Sequence, residues 1–427
     1  MTLVPATHLL KTNFNFRLAV ICIAAASIGL SMVAVSLAKL LLVICGLGVM
    51  LNRNRPPDTT RALEGMASPV AILIALLAFA LSLLWTVGPL AEALGAFAKY
   101  GKLLMILLML VIIRDRREAV YALGAFVLAQ SFLLASSWML FATLPVPWAT
   151  SKMATTEYAV FSTYLDQGII SAVFAAVCWH FRVLAPGRFG RQVAVFMAFA
   201  ALANVFFVLS GRSAHAVAIT LVSMAIMWEL PKKYRAVAIF IPFLIAFSLF
   251  FSSSKVKDRL TQVQTEVRAY STLAEPATSS GLRLHMWRRA LETIEQHPVA
   301  GTGVGSWSTQ FNRLQREQNP AHVDINRNGN PHQEYLLWGV QLGVPGLVIF
   351  LTLLISLCKD TLGMQMAEAR AAQSAVAALA VACLFNSSLY DAHIGDFFCI
   401  LLGLLLALGR HKALAVPATS SHQERPA

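Results

Sequence analysis

Residues 103–135 read "LLMILLMLVIIRDRREAVYALGAFVLAQSFLLA". An apolar run stops at five charged residues, and a second apolar run follows at once. Extended to their natural ends, these runs become spans 93–113 and 118–142. Each is about twenty residues long, which is what a helix needs to cross about 30 Å of hydrocarbon. The same pattern recurs along the chain, at 17–36, 37–51, 69–87, 167–181, 191–210, 213–228, 236–251, 333–357, 366–386 and 396–409. The chain has 427 residues, of which 57% are hydrophobic and 13% charged, and its mean hydropathy is +0.66. A soluble protein of that length carries about twice the charged fraction. The expected fold class is all-α, a polytopic integral membrane protein of about twelve transmembrane helices with a partly helical extracytoplasmic loop. Residues 1–251 would hold the N-terminal helices, 252–332 the extracytoplasmic loop, 333–410 the C-terminal helices and 411–427 a disordered cytoplasmic tail. The first span is too long and uniform for the apolar core of a cleaved signal, and reads as a retained anchor.

The net charge of +13 is informative through its placement. Short connections read "RNRPPDTTR", "RDRRE", "RVLAPGRFGR", "PKKYR", "KDTLGMQMAEAR" and "RHK", while the alternate short connections carry almost no Lys or Arg. That is the positive-inside pattern, and it sets both termini in the cytoplasm. It also accounts for most of the excess charge. Nucleic-acid binding would need a soluble basic surface, which is absent. The six cysteines fall in or beside apolar spans without a CxxC pair, so they read as small apolar residues, with no disulfide framework and no zinc site. The sequence carries no signal for oligomeric state.

With this topology four segments share the outer face: 143–166, "SGRSAH" at 210–215, the long segment 252–332 and "NSSLYDAH" at 386–393. Chemistry built from them would proceed without ATP or nucleotide sugars. Within "GLRLHMWRRALETIEQHPVAGTGVGSW" (281–307), Trp287, Ala290, Leu291 and Ile294 recur at helical spacing, and His297-Pro298 ends the helix. Arg283 falls on the apolar stripe, as a snorkelling arginine or as one that faces an anion at the membrane edge. Arg288 falls on another face, where an i,i+4 pair with Glu292 competes with an anion-binding role. The glycines of "AGTGVG" lack the surrounding βαβ unit of a dinucleotide loop and read as a tight turn, with backbone N–H groups that could meet an anion.

Arg212 stands between two apolar spans in "VFFVLSGRSAHAVAITL". An arginine so near the hydrocarbon needs a partner or a wet cavity. A structural ion pair would serve. So would an anion, because the planar guanidinium fork suits phosphate oxygens and keeps its charge. Lys99 and Lys102 in "FAKYGK" also interrupt an apolar span and could line the same cavity. In "NPHQEYLLWGVQLGVPGL" (330–347), Asn330 reads as an N-cap, Pro331 as the first helical residue, His332 as the second and Gln333 as the third. His332 would then sit at the positive end of a helix, where the imidazolium is disfavoured. A neutral imidazole beside several arginines suits deprotonation of a hydroxyl together with stabilisation of a departing phosphate.

The order "SGRS", "GLRLHMW…HPVAGTGVGSW", "NPHQEYLLWGVQLGVPGL", "LFNSSLYD" over residues 205–395 resembles the O-antigen ligase/polymerase superfamily of bacterial glycosyltransferases. The resemblance implies an all-α membrane fold in the cell inner membrane and a periplasmic active site. It implies an undecaprenyl-diphosphate-linked glycan as donor, with no cofactor and no metal. It matches Arg212 and Arg283 to the family's arginines and His332 to the base, with Arg288 outside the clearest match. Asp391 closes the last motif as a supporting residue or a plain turn residue. Three activities compete: ligation of the glycan to the lipid A-core, polymerisation on the carrier, and transfer to a protein hydroxyl. Ligation is expected; protein-glycosylating relatives commonly carry a longer C-terminal region, whereas here the last span is followed by "RHKALAVPATSSHQERPA". A transporter would place charges midway along broken helices, and here they gather at one face.

Overall fold

In a computed structural model, residues 16–51, 63–235, 240–254, 257–258, 261–262, 279–318 and 329–411 are described. The two termini, the basic loop 53–61 and the tail after His411 lie outside them. All regular structure among the described residues is helical. The helices are α1 (Phe16–Ser27), α2 (Met32–Leu51), α3 (Ser68–Ser82), α4 (Leu90–Tyr100), α5 (Leu104–Ile112), α6 (Arg116–Phe141), α7 (Tyr164–Phe181), α8 (Gly187–Ala203), α9 (Arg212–Glu229), α10 (Ile241–Ser252), α11 (Ser279–Gln296), α12 (Trp307–Gln318), α13 (Glu334–Lys359), α14 (Met366–Phe385) and α15 (Ala392–Arg410). The chain is therefore an all-α, polytopic membrane protein.

Among the described residues, seven helical segments are long and apolar enough to cross a membrane: α2, the joined α4–α5 unit, α6, α8 with its terminal turn, α13, α14 and α15. Of the expected spans, α1, α3 and α10 are shorter apolar helices, and α7 and α9 carry polar residues at their ends. The break between the first two spans falls at 28–31, not at 36–37, because Gly29 takes a left-handed turn (φ +83°).

The core is built around α15, which is buried along nearly its whole length. It packs against α5, α6 and α14, while α7 is enclosed by α8, α9 and α14. Outward-facing apolar side chains such as Leu40, Leu77, Leu128, Phe196 and Phe247 are exposed on the flanking helices. Without an aqueous solvent against them, such residues need no cover.

Polar contacts tie the bundle at two rims. At one, Arg17 pairs with Glu118, Arg116 with Glu368 and Arg182 with Glu229. There, too, the Asp360 carboxylate accepts the N–H groups of Ala67 and Ser68 at the start of α3. At the other, 83–89 meets 300–304, Ser210 meets Glu157, α9 meets α11 and the turn 386–391 meets 330–334. The four polar segments separated in sequence thus share one end of the bundle.

Helix α13 is broken. Gly343 has φ +70° and ψ −159°, and Pro345 follows it. The carbonyls this exposes are taken up by the glycine turn: Thr302 N–H donates to Val340 O (2.8 Å) and Gly303 N–H to Gln341 O (2.9 Å). In return Val344 N–H donates to Pro298 O (2.7 Å). The turn is a plug for the broken helix, and these N–H groups are already engaged.

Candidate active site

The arginines come first, because helix starts and ends position them. Helix α8 closes in a π-helical turn, Asn204–Val208. Leu209 and Gly211 are extended, so α9 begins at Arg212, with no side chain capping its first turn. The connection is braced by His215 Nε2, 3.0 Å from Val205 O. This leaves Arg212 and the positive end of α9 together at the rim. Arg212 Nη1 donates to Ser280 Oγ of α11 at 2.8 Å.

Arg283, one turn along α11, is half-buried and directs Nη2 to Asn386 Oδ1 at 3.4 Å. Asn386 Nδ2 donates in turn to Ser213 Oγ at 3.1 Å. Asn386 is therefore a hub: one amide holds Arg283 and the residue next to Arg212. Arg288 points elsewhere. Its side chain is 70% exposed and pairs with Glu292 at 3.1 Å, which is the i,i+4 surface pair rather than a site-facing geometry. The adjacent Arg289 is buried and joins Glu292 (2.7 Å) and Gln315 (3.4 Å), clamping α11 onto α12.

His332 lies three residues short of its expected helical position. Helix α13 starts at Glu334, and Gln333 is its N-cap, with Oε1 accepting Leu336 N–H at 2.6 Å. His332 precedes the cap in a left-handed conformation, φ +54°. Asn330 Oδ1 accepts the His332 N–H at 2.9 Å, and Trp287 Nε1–H donates to Pro331 O at 3.1 Å. The reason is local: Asn330 closes a tight turn on the backbone two residues on instead of capping the helix. Burial disfavours the imidazolium, and the Arg283 guanidinium adds to it, so the His332 pKa lies below its ordinary value. The shift has the direction expected from the sequence, with burial rather than the helix end as its first cause.

The remaining residues meet at the turn between α14 and α15. Asn330 Nδ2 donates to Asp391 Oδ1 at 3.4 Å. Lys102 Nζ, buried, donates to Asp391 O (2.6 Å) and Tyr390 O (3.3 Å). Lys99 Nζ lies 4.0 Å over the Tyr390 ring. Burial raises the Asp391 pKa against the opposing pull of Lys102, Lys99 and Asn330. Beneath the turn, the buried Glu334 carboxylate accepts N–H from Leu389 and Tyr390, each at 3.0 Å, and the Trp338 indole N–H at 2.9 Å. The structure thus groups Arg212, Arg283, His332, Asp391, Lys99 and Lys102 at one rim and leaves Arg288 outside.

Sequence reasoning did not single out Asn386, Ser280, Asn330 as a turn former, Trp287 as a donor, or Glu334. Asn386 stood in the quoted "LFNSSLYD", and a buried amide following an apolar helix was its available signal.

Residues 197–351 match the family of O-antigen ligases, and no curated protein matches the chain. The matched region runs from α8 into α13 and contains Arg212, Arg283 and His332. The match covers about a third of the chain, and over that stretch the chain is similar to O-antigen ligases.

Proposed function

We propose that the protein transfers O-antigen polysaccharide from undecaprenyl diphosphate to a hydroxyl of the lipid A-core oligosaccharide, on the periplasmic face of the bacterial inner membrane. The observation that carries this reading is the meeting of Arg212, Arg283 and a half-buried His332, whose imidazolium is disfavoured, at one rim. Arg283 is close enough to Arg212's neighbour to share Asn386 with it, and close enough to His332 to disfavour its protonation.

His332 accepts the proton of the acceptor hydroxyl. The hydroxyl oxygen bonds to the anomeric carbon of the donor as the bond from that carbon to the diphosphate oxygen breaks. The electron pair leaves with undecaprenyl diphosphate, and Arg212 and Arg283 stabilise the charge it gains. Ser280 and Asn386, which Arg212 and Arg283 reach, are neutral acceptors, and phosphate oxygens bind guanidinium more strongly than such acceptors do. The arginines fill the role a divalent cation has in other diphosphate chemistry, so the reaction is written without metal or cofactor. Asp391, Lys99 and Lys102 support the turn that meets Asn330, two residues before His332.

Surface polysaccharide from a deletion strain tests the reaction. Polymer that accumulates on undecaprenyl diphosphate, with none on the core, is the ligase outcome. Single repeat units attached to the core would make the protein a polymerase, and a missing glycan on protein would make it an O-oligosaccharyltransferase. Purified protein should transfer in the presence of a chelator and without ATP, and a strict need for added Mg²⁺ would overturn the leaving-group assignment.

A further inference from the structure

At the rim opposite the candidate active site, α8 opens with two arginines, Arg188 and Arg191. Both are exposed, and they line a recess of about 460 Å³ with Gln192, Val195 and Phe196. Neither makes a hydrogen bond or ion pair with any described residue. Residues 188, 192, 195, 199 and 202 are spaced i, i+4, i+7, i+11 and i+14, so they form one stripe along the helix. Phe199 and Leu202, further along that stripe, wall a second cavity of about 440 Å³ between α7, α8 and α9. Its other walls include Trp179, Val222 and Ile226, and alanines of α7 and α9 give it its width. A basic recess and an apolar groove therefore lie in line along a single helix face. From Arg188 to Leu202 the helix rises about 21 Å. That is room for a headgroup followed by much of one leaflet's hydrocarbon depth, about 15 Å.

The acid at the groove mouth does not oppose an anion. Glu229 is paired with Arg182 at 2.9 Å and lies 3.7 Å from Arg370, and Arg182 is stacked 3.7 Å from the centre of the Trp179 ring. The electrostatic balance at this rim stays positive. Positive charge here also serves to orient the chain in the membrane, but orientation requires neither a recess nor a groove in line with it.

We propose that this face binds one anionic phospholipid, with its phosphate between Arg188 and Arg191 and an acyl chain in the groove formed by α7, α8 and α9. The guanidinium pair supplies the planar donors that phosphate oxygens accept from. The aromatic and alanine walls take the chain. The occupant is a lipid of the leaflet at this rim, not the glycan carrier, whose diphosphate belongs at the other rim. The proposal needs only a membrane-spanning chain and does not rest on the transfer reaction.

Native mass spectrometry of the purified full chain in detergent tests it, with phosphatidylglycerol, phosphatidylcholine and undecaprenyl phosphate added separately. Phosphatidylglycerol should bind about 30-fold more tightly than phosphatidylcholine, from two cationic contacts at the surface. Arg188→Ala/Arg191→Ala should reduce phosphatidylglycerol to the phosphatidylcholine level. Ala225→Phe, which fills the groove and leaves the arginines in place, should weaken both phospholipids, and keeps the proposal testable if the double variant fails to insert. Equal binding of the two phospholipids by the parent protein would overturn the proposal. So would unchanged phosphatidylglycerol binding in Ala225→Phe. Undecaprenyl phosphate that displaces phosphatidylglycerol and is lost with the same two arginines would identify the occupant as the polyprenyl carrier and overturn it as well. If transfer fails to be observed while phosphatidylglycerol binds as expected, the two readings separate.

Discussion

At the scale of the residue, the proposed chemistry turns on His332, and its backbone decides how to test it. A left-handed conformation at φ +54° is unfavourable for most side chains, while asparagine tolerates it. His332→Ala therefore mixes a change in backbone strain with loss of the proposed base. His332→Asn keeps the backbone and a hydrogen-bonding group but cannot take a proton at neutral pH. It should lose about 10²- to 10⁴-fold in transfer with donor binding retained, and near-normal turnover would leave His332 only a positioning role. The pH dependence follows from the direction of the shift. Burial and Arg283 hold the folded pKa below the ordinary histidine value, so the neutral, proton-accepting form persists at neutral pH. It is lost only as pH falls through that lowered value. Arg283→Gln removes the cation and should move this acid limb toward higher pH, apart from any loss of rate. An unmoved limb would place Arg283 too far away to act on the base. Arg288→Ala, by contrast, removes an exposed surface pair and should leave transfer within about twofold, since such pairs contribute about 0–1 kcal/mol. A loss as large as that of Arg283→Gln would bring Arg288 back to the site. Arg283 and His332 stood out in the sequence because a charged or titratable group beside an apolar pattern is conspicuous. Asn386 did not, because a neutral amide shows its value only through the two partners that folding brings to it.

At the scale of the element, the interrupted α13 shows what periodicity misses. The apolar run 333–357 reads as a continuous helix, and hydropathy does not register that Gly343 leaves helical geometry ahead of Pro345. A proline cannot donate to the preceding turn, so a carbonyl must find a partner elsewhere. The partners come from a glycine turn about forty residues earlier, a separation that no local pattern encodes. The same turn was legible as a turn, from its glycines, but its destination was not. Gly303 sits there with φ +87°, and a Cβ on it would lie 2.3 Å from Thr86 Cα. Gly303→Ala should therefore destabilise the protein by about 2–4 kcal/mol, from left-handed strain together with overpacking against backbone. The thermal midpoint of the purified protein should fall by several degrees. An unchanged midpoint would mean that the turn does not seat against α3 and α13. Because the plug joins the α11–α12 segment to the membrane bundle, transfer should fall in this variant even though no residue at His332 or the arginines has changed.

At the scale of the whole molecule, two independent features agree on which segments belong together. One is the alternation of basic and neutral connections along the sequence. The other is the set of contacts that brings 157, 210–213, 280–306, 330–334 and 386–391 to a single end of the bundle. Alternation was legible because each short loop reports its side through its own Lys and Arg content. The grouping was legible only as a consequence of it, and the side chains that close the site were not, since they depend on which helices become neighbours. What the contacts leave open is which compartment each end faces, and that can be read from two cysteines. Glu295, exposed on α11, lies at the end with the arginines; Glu64, exposed just ahead of α3, lies at the other. In cells with a permeabilised outer membrane, an impermeant maleimide should label Glu295→Cys. It should reach Glu64→Cys only after the inner membrane is opened. The native cysteines provide the background, and all six are buried or half-buried. The reverse pattern would put His332 and the arginines in the cytoplasm. Nucleotide-sugar donors would then be available to the site, and an undecaprenyl-diphosphate glycan already moved to the outer leaflet could not reach it.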